Sequence, residues 1–275
     1  AQPTALSASG VLQRRANGGQ YDYETRYASL DFIGQQVFLG QQHDLLIGAE
    51  QEDSDKFRGK TYRNAVDKDF NIYLPVYGGM DKPSLISQAD SNLSNQLTST
   101  SLYLKDNWHL NDQWILVLGG RYQHYDQFSE QGLGSKRKLN RDSNGDTFLP
   151  MLGVVFKVND DLSLYGNYSR SFVPNDDVDD NGNTFDPEEG RSYEVGAKYD
   201  LAPGLNLNLA LFDIEKKNVV TPSAVTGINE AAGKVGSRGL ELDVTGRIAE
   251  RWDMIGTYAY TRTEILDDPQ NEGNR

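Results

Sequence analysis

Apolar and polar residues alternate along most of this chain with a period of two rather than 3.6, which is the repeat of extended strands and not of helices. Between 162 and 169, Leu162, Leu164, Gly166 and Tyr168 fall on one face and Ser163, Tyr165, Asn167 and Ser169 on the other. The next stretch sets Tyr193, Val195, Ala197 and Tyr199 against Glu194, Gly196, Lys198 and Asp200. Leu205, Leu207, Leu209 and Leu211 then alternate with Asn206, Asn208 and Ala210, and Leu240, Leu242 and Val244 with Glu241, Asp243 and Thr245. Leu102 and Leu104 oppose Ser101, Tyr103, Lys105 and Asn107. The pattern predicts about eleven strands, at 5 to 15, 22 to 38, 42 to 53, 97 to 109, 113 to 126, 147 to 158, 161 to 172, 190 to 200, 205 to 217, 235 to 248 and 251 to 264.

Their connections alternate between two kinds. Tight polar turns fall at Asn111-Asp112, Asn159-Asp160-Asp161, Ala202-Pro203-Gly204 and Ala249-Glu250. Long segments rich in Gly, Asn and Asp fall at 53 to 96, 127 to 146, 173 to 189 and 218 to 234. A meander with short connections at one end and long ones at the other has the layout of an outer-membrane barrel, with periplasmic turns and extracellular loops. The fold class expected is therefore all-β, a transmembrane antiparallel β-barrel segment, with leucine toward lipid and acids, amides and lysine toward an interior. A soluble β-sandwich shows the same alternation. Strand length separates the two, since several of these strands run ~11 to 14 residues against a usual ~5 or 6. Aromatic placement adds to it. Trp108, Trp114 and Trp252 stand beside short turns, while Tyr122, Tyr125, Tyr168, Phe172, Tyr258 and Tyr260 stand toward the long-loop ends, as two interfacial girdles require.

Composition narrows the classes further. Apolar residues make up 37% of the 275 positions, low for a thick dry core, while aromatics reach 10% and glycines number 27, which suits a sheet with aromatic edges. The sequence holds no apolar run long enough for a spanning helix, but a spanning strand needs only about 9 to 11 residues. A net charge of −13, with no basic stripe, speaks against a nucleic-acid partner. With no cysteine there is no disulfide framework and no thiolate metal site.

Candidate chemistry is sparse. His43, His109 and His124 lie on separate strands or turns, and none has a metal-ligand neighbour at a recognised zinc spacing. The acidic groups Asp176, Asp177, Asp179, Asp180 and Asp186, and Asp142 to Asp146, offer oxygen ligands for a hard cation or simply make solvated loops, and their spacing is not that of the calcium-binding loop. Neither a G-x-S-x-G elbow nor an H-E-x-x-H helix motif is present, so no enzyme is expected. The first long loop carries Tyr62, Tyr73, Pro75 and Tyr77, rings that either pack the loop or meet a polar organic ligand.

The runs Ser163 to Pro174, Phe185 to Gly190, Ser192 to Lys198, Ala210 to Val219, Val235 to Asp243 and Tyr258 to Thr261 together resemble the barrel of TonB-dependent ferric-siderophore receptors. Gln42 to Glu50 and Ser101 to Trp108 are similar to strands of that family, and the likeness covers most of 40 to 264 in family order. The resemblance implies a barrel of about 22 strands, occluded by an N-terminal plug that carries a TonB box. Neither plug, box nor terminal strands are found in 1–275, so the expected domain is the middle of such a barrel, monomeric, in outer-membrane lipid. Implied partners are a ferric siderophore and the TonB complex; no cofactor is implied, because iron arrives inside the siderophore. An importer of another bulky nutrient, such as a glycan or cobalamin, is the neighbouring possibility. On this reading Lys105, Arg121, Glu194, Lys198, Glu241 and Asp243 face the lumen, either to pair with plug groups or ordered water or simply to form a satisfied polar wall. Ligand-binding candidates are Tyr73, Tyr77, Phe172 and Phe185, placed where rings converge above a plug.

Overall fold

The computed structural model describes residues 10–13, 17–63, 69–76, 92–132, 135, 137–175, 185–222 and 229–267. Among them, ten strands form one antiparallel sheet: β2 (Asn17–Phe38), β3 (Gln41–Arg63), β5 (Leu93–His109), β6 (Trp114–Gln131), β7 (Lys138–Lys157), β8 (Leu162–Val173), β9 (Glu188–Ala202), β10 (Leu205–Pro222), β11 (Asn229–Ala249) and β12 (Trp252–Asp267). Sheet order follows chain order from β12 to β2, with β3 beside β5. Two short strands, β1 (Val11–Gln13) and β4 (Asp69–Asn71), pair with each other in a separate ladder. The ten strands expected between 22 and 264 are those of the main sheet, whereas the described part of the expected first strand, 5 to 15, belongs to the small ladder.

The chain divides into two compact units. One comprises 27–51, 99–125 and 144–275, and its register shows how the alternation is used. Leu164, Ala197, Leu209, Leu242 and Tyr258 are successive cross-strand partners from β8 to β12, and Gly166, Val195, Leu211, Leu240 and Tyr260 form the next row. The opposite face of the same strands carries Ser163, Lys198, Asn208, Asp243 and Thr257. Because the pleat has a period of two, one register fixes every side chain to a face. Among the described residues the buried apolar side chains are Tyr125 and Ala210, while Leu164, Val195 and Leu211 are exposed. A single-layer wall has no dry interior of its own; its apolar face needs lipid.

Tight turns hold this unit at one end, and two of them use the same device. Asn111 accepts hydrogen bonds from the backbone N–H groups of Gln113 and Trp114, both at 2.9 Å, and Asn159 from those of Asp161 and Leu162 at 3.0 and 2.7 Å. An asparagine side chain thereby satisfies the donors a reversal leaves open. Leu39 and Gly40 adopt positive φ at 54° and 79°, the backbone sense that matches a two-residue hairpin to strand twist. The β7–β8 ladder runs from Lys157↔Ser163 up to Met151↔Ser169. It stops beside Pro150, which has no N–H to donate.

The other unit comprises 1–26, 52–98 and 126–143. Among its described residues the buried side chains are polar: Ser54, Asn92, Gln127, Ser129 and Arg141. The Asn92 carbonyl accepts the Gly132 N–H at 2.8 Å, and Asn140 donates to Ser129 at 3.4 Å. The segments expected as long loops are partly strand, since β3 continues to Arg63, β6 to Gln131 and β10 to Pro222, and β7 begins at Lys138. The buried side chains of β3 and β6 here, Ser54, Gln127 and Ser129, are polar like the exposed ones, so the alternation of polarity disappears although the ladder continues, and these extensions read as loop in the sequence.

Candidate functional site

The polar face of the first unit described is a network of side chains laid across neighbouring strands. Glu50 of β3 accepts both terminal guanidinium nitrogens of Arg121 on β6, and the Tyr27 hydroxyl donates to the same carboxylate at 3.0 Å. Between β3 and β6 lies β5, whose Tyr103 ring sits 5.9 Å beneath the guanidinium and whose hydroxyl donates to Asp31 at 2.5 Å. Of the two roles open to Arg121, partner of a plug group or member of a satisfied polar wall, the contact with Glu50 is the second: its own wall supplies the carboxylate. Further along the face Glu194 accepts from Asn167 at 3.5 Å, and Lys198 stands 5.7 Å from the Tyr165 ring centroid. Glu241, Asp243, Glu194 and Lys198 share this face by register. Lys105, two residues beyond Tyr103 on β5, shares that strand's polar side.

Several rings on this face lie flat over glycines of adjacent strands. Tyr165 covers Gly196 and Phe212 covers Gly239, where an added Cβ would come within 2.5 Å and 2.7 Å of the rings; Tyr103 covers Gly48 in the same way. The glycine lets the ring fold against the wall instead of standing off it. Bulky aromatics are thus accommodated without filling the interior.

Each histidine meets an aspartate of a nearby strand. His43 bonds Asp106 at 2.7 Å, His109 bonds Asp44 at 2.7 Å, and His124 bonds Asp146 at 2.9 Å. Such pairs join residues 63, 65 and 22 positions apart, so spacing along the chain could not show them. Among the described residues no group of three His, Cys, Asp or Glu side chains is arranged to hold a metal. Asp146, in the acidic 142 to 146 segment, is engaged by His124 and by the Tyr122 hydroxyl at 2.7 Å. Asp176, Asp177, Asp179 and Asp180 lie outside the described residues.

At the ends of the strands remote from the tight turns, Asn175 and Asn218 fasten the neck of the β8–β9 connection. Asn175 donates to the carbonyls of Asp186 at 2.5 Å and Asn218 at 3.2 Å, and Asn218 donates to the Pro187 carbonyl at 2.8 Å. Asn218 adopts φ of 59°, and β10 steps past it in its pairing with β11. Phe185 stands at this neck, half-buried, and Phe172 packs on Tyr125 with ring centroids 5.2 Å apart. Tyr73 belongs to the other unit, 70% exposed, its backbone N–H bonded to Asn71 at 2.9 Å. Tyr77 lies outside the described residues.

A single-layer antiparallel wall, apolar on one face and charged on the other, with aromatic rows at its margins, is the wall of a membrane-spanning β-barrel. Residues 3–275 match the TonB dependent receptor-like β-barrel family, and the chain belongs to that family. Its place is the outer membrane. The metal-pseudopaline receptor CntO of Pseudomonas aeruginosa strain UCBPP-PA14 is 32% identical over 96% of this chain and 38% of its own length. The ferrioxamine B receptor of Salmonella typhimurium strain LT2 is 27% identical over 85% of this chain and 32% of its own. Among solved structures, the ferripyoverdine receptor of Pseudomonas aeruginosa bound to ferripyoverdine superposes with a TM-score of 0.75 at 25% identity, over 97% of this chain and 36% of that one. The chain therefore spans under two fifths of the length of these relatives. All three are receptors rather than enzymes, and membership of the family sets aside the soluble sandwich.

Proposed function

We propose that this wall serves a TonB-dependent importer of a ferric siderophore. The observation that carries the reading is one strand set with two chemistries: leucine, valine and tyrosine rows facing lipid, and a self-paired polar lining from Glu50–Arg121 to Lys198 facing a lumen. Its relatives' names point the same way, since ferrioxamine B and pyoverdine are the ligands of the proteins it resembles. The lining belongs to a barrel of about 22 strands with a plug, supplied by the rest of a longer protein, and the TonB complex acts through that plug. Tyr73, Tyr77, Phe172 and Phe185 are the rings offered to the ligand. A siderophore wraps iron in its own oxygens, so ring faces and hydrogen bonds suffice and no His or Cys ligands are called for.

A second cargo has specific support. The relative at 32% identity is named for metal-pseudopaline, which makes another metal chelate the competing ligand. The test is uptake by the full-length receptor of radiolabelled iron presented as hydroxamate, catecholate and pyoverdine chelates, with nickel- and zinc-loaded chelators alongside, in cells with and without functional TonB. TonB-dependent accumulation of a ferric chelate supports the first reading. Accumulation of the other metals alone supports the second, and uptake of neither defeats both.

A further inference from the structure

Backbone pairing between β7 and β8 stops before the strands do, and side chains take over. The β7–β8 ladder ends at Met151↔Ser169, whereas β8 runs on to Val173 with β9 as its partner. On the β7 side the gap is spanned by rings. Tyr125 of β6, 7% exposed, lies over Gly145 of β7, where an added Cβ would come within 2.9 Å of the ring, and it meets Phe172 of β8 at 5.2 Å. Glycine at 145 lets the two rings meet across the intervening strand.

On the other side, β9 starts at Glu188, and residues 185–187 ahead of it belong to no strand. Pro187 has no N–H, so its carbonyl is the backbone group it can offer a neighbour. Asn218 of β10 takes it, donating at 2.8 Å. Asn175, just past the end of β8 and 7% exposed, donates to the carbonyls of both Asp186 and Asn218, at 2.5 and 3.2 Å. Three bonds thus close a ring through β8, β10 and the approach to β9. The ring depends on a backbone irregularity, since Asn218 has φ of 59° and the β10–β11 pairing passes from Lys217↔Lys234 to Val219↔Ala232 without it. Glycine, asparagine and aspartate enter that left-handed conformation most readily, and of the three asparagine alone carries an amide donor.

We propose that Asn175 and Asn218 are positioning residues for ligand capture. They fix the carbonyls of Asp186 and Pro187, and so the placement of the adjoining Phe185, before a ligand arrives. Ordering a loop ring on binding costs affinity, and a stem fixed in advance removes that cost. The clamp does not carry the barrel, because it lies past the last β8–β9 and β9–β10 pairs, Val173↔Glu188 and Lys217↔Glu189. The inference rests on the reading that Phe185 meets the chelate, while the fixing of the stem is testable without it.

The experiment compares the full-length receptor with its N175A, N218G and N218D variants in three measurements. These are amide hydrogen exchange across 172–175 and 185–189 without ligand, affinity for ferrioxamine B and for ferripyoverdine, and the urea midpoint of barrel unfolding. N218G and N218D keep the left-handed turn and lose only the donor. Both are expected to speed exchange at 185–189 and to weaken chelate binding by about fivefold or more, the scale of one lost hydrogen bond. N175A, which loses two bonds, is expected to exceed them, and the urea midpoint is expected to hold in all three. Exchange or affinity at the parental level in N218G overturns the proposal, since Asn218 would then serve only its backbone angle. So does a loss of affinity that follows a fall in the urea midpoint, which marks a merely structural role. A parent that binds neither chelate defeats the chelate reading instead, and the clamp then stands or falls on exchange at 185–189 alone.

Discussion

Arg121 reaches over the whole width of β5 to bind Glu50 two strands away, with the Tyr103 ring 5.9 Å beneath its guanidinium. Three strands are thereby tied on the lumen side by one side chain.

Removing that side chain leaves a partly buried carboxylate without its cation. R121A is expected to lower barrel stability by about 1.5–3 kcal/mol, the range for hydrogen bonds to charged groups. R121K is expected to recover only part of it, because an ammonium cannot hold both carboxylate oxygens in one plane. Equilibrium unfolding of the full-length receptor in urea, followed by tryptophan fluorescence, checks both. A R121A receptor as stable as the parent would show the bridge to be incidental.

Gly196 carries the Tyr165 ring on one side, and an added Cβ would also sit 2.5 Å from the Leu209 carbonyl. Backbone cannot yield as a side-chain tip can. G196V is expected to destabilise by about 1–3 kcal/mol through overpacking, and to lift Tyr165 into the lumen. The pairing of G196V with Y165A in a double-mutant cycle measures how much of the loss comes from the ring.

Glu215 lies above the apolar band, and hydrogen bonding from Lys234, opposed by partial burial and reinforced by Arg191, holds its carboxyl below the ordinary value. Folding therefore depresses this group's pKa, so its contribution is present above the unfolded-state value and lost as pH falls through the lower folded-state one. Amide exchange at the outer ends of β10 and β11 is expected to accelerate below about pH 4.5 in the parent and to change less with pH in E215Q. An identical acid response in the two proteins would sever the link to Glu215.

The ligand rings can be tested one by one. Y73A, Y77A, F172A and F185A are each expected to weaken chelate binding; a true hot spot loses at least ~2 kcal/mol, which is about 30-fold in affinity. Titration of the full-length receptor with the transported chelate reads this directly. Four variants within threefold of the parent would return these rings to loop packing.

Orientation follows from the tight turns. Single cysteines at Leu74 and Arg137 are expected to react with a membrane-impermeant maleimide on intact cells, and those at Asp112 and Glu250 only after the outer membrane is breached. The reverse labelling would invert the barrel.

The sequence alone determined which residues share a face, where the tight turns fall and which family the strands resemble, because alternation and turn chemistry are local consequences of the pleat and of a few residues at each reversal. Leu205, Leu207, Leu209 and Leu211 could be placed together without knowing any partner. It did not determine that Glu50 meets Arg121, that His43 meets Asp106, or that Glu215 is shared by Arg191 and Lys234. Those contacts depend on register between strands many residues apart, and on how many strands a side chain can cross. Strand ends were hidden for a related reason: β3, β6 and β10 continue by backbone hydrogen bonds into stretches where buried side chains such as Ser54, Gln127 and Ser129 are as polar as exposed ones, so no pattern of polarity marks them. Only the assembled sheet, with its step at Asn218 and its break beside Pro150, decides which charges face one another.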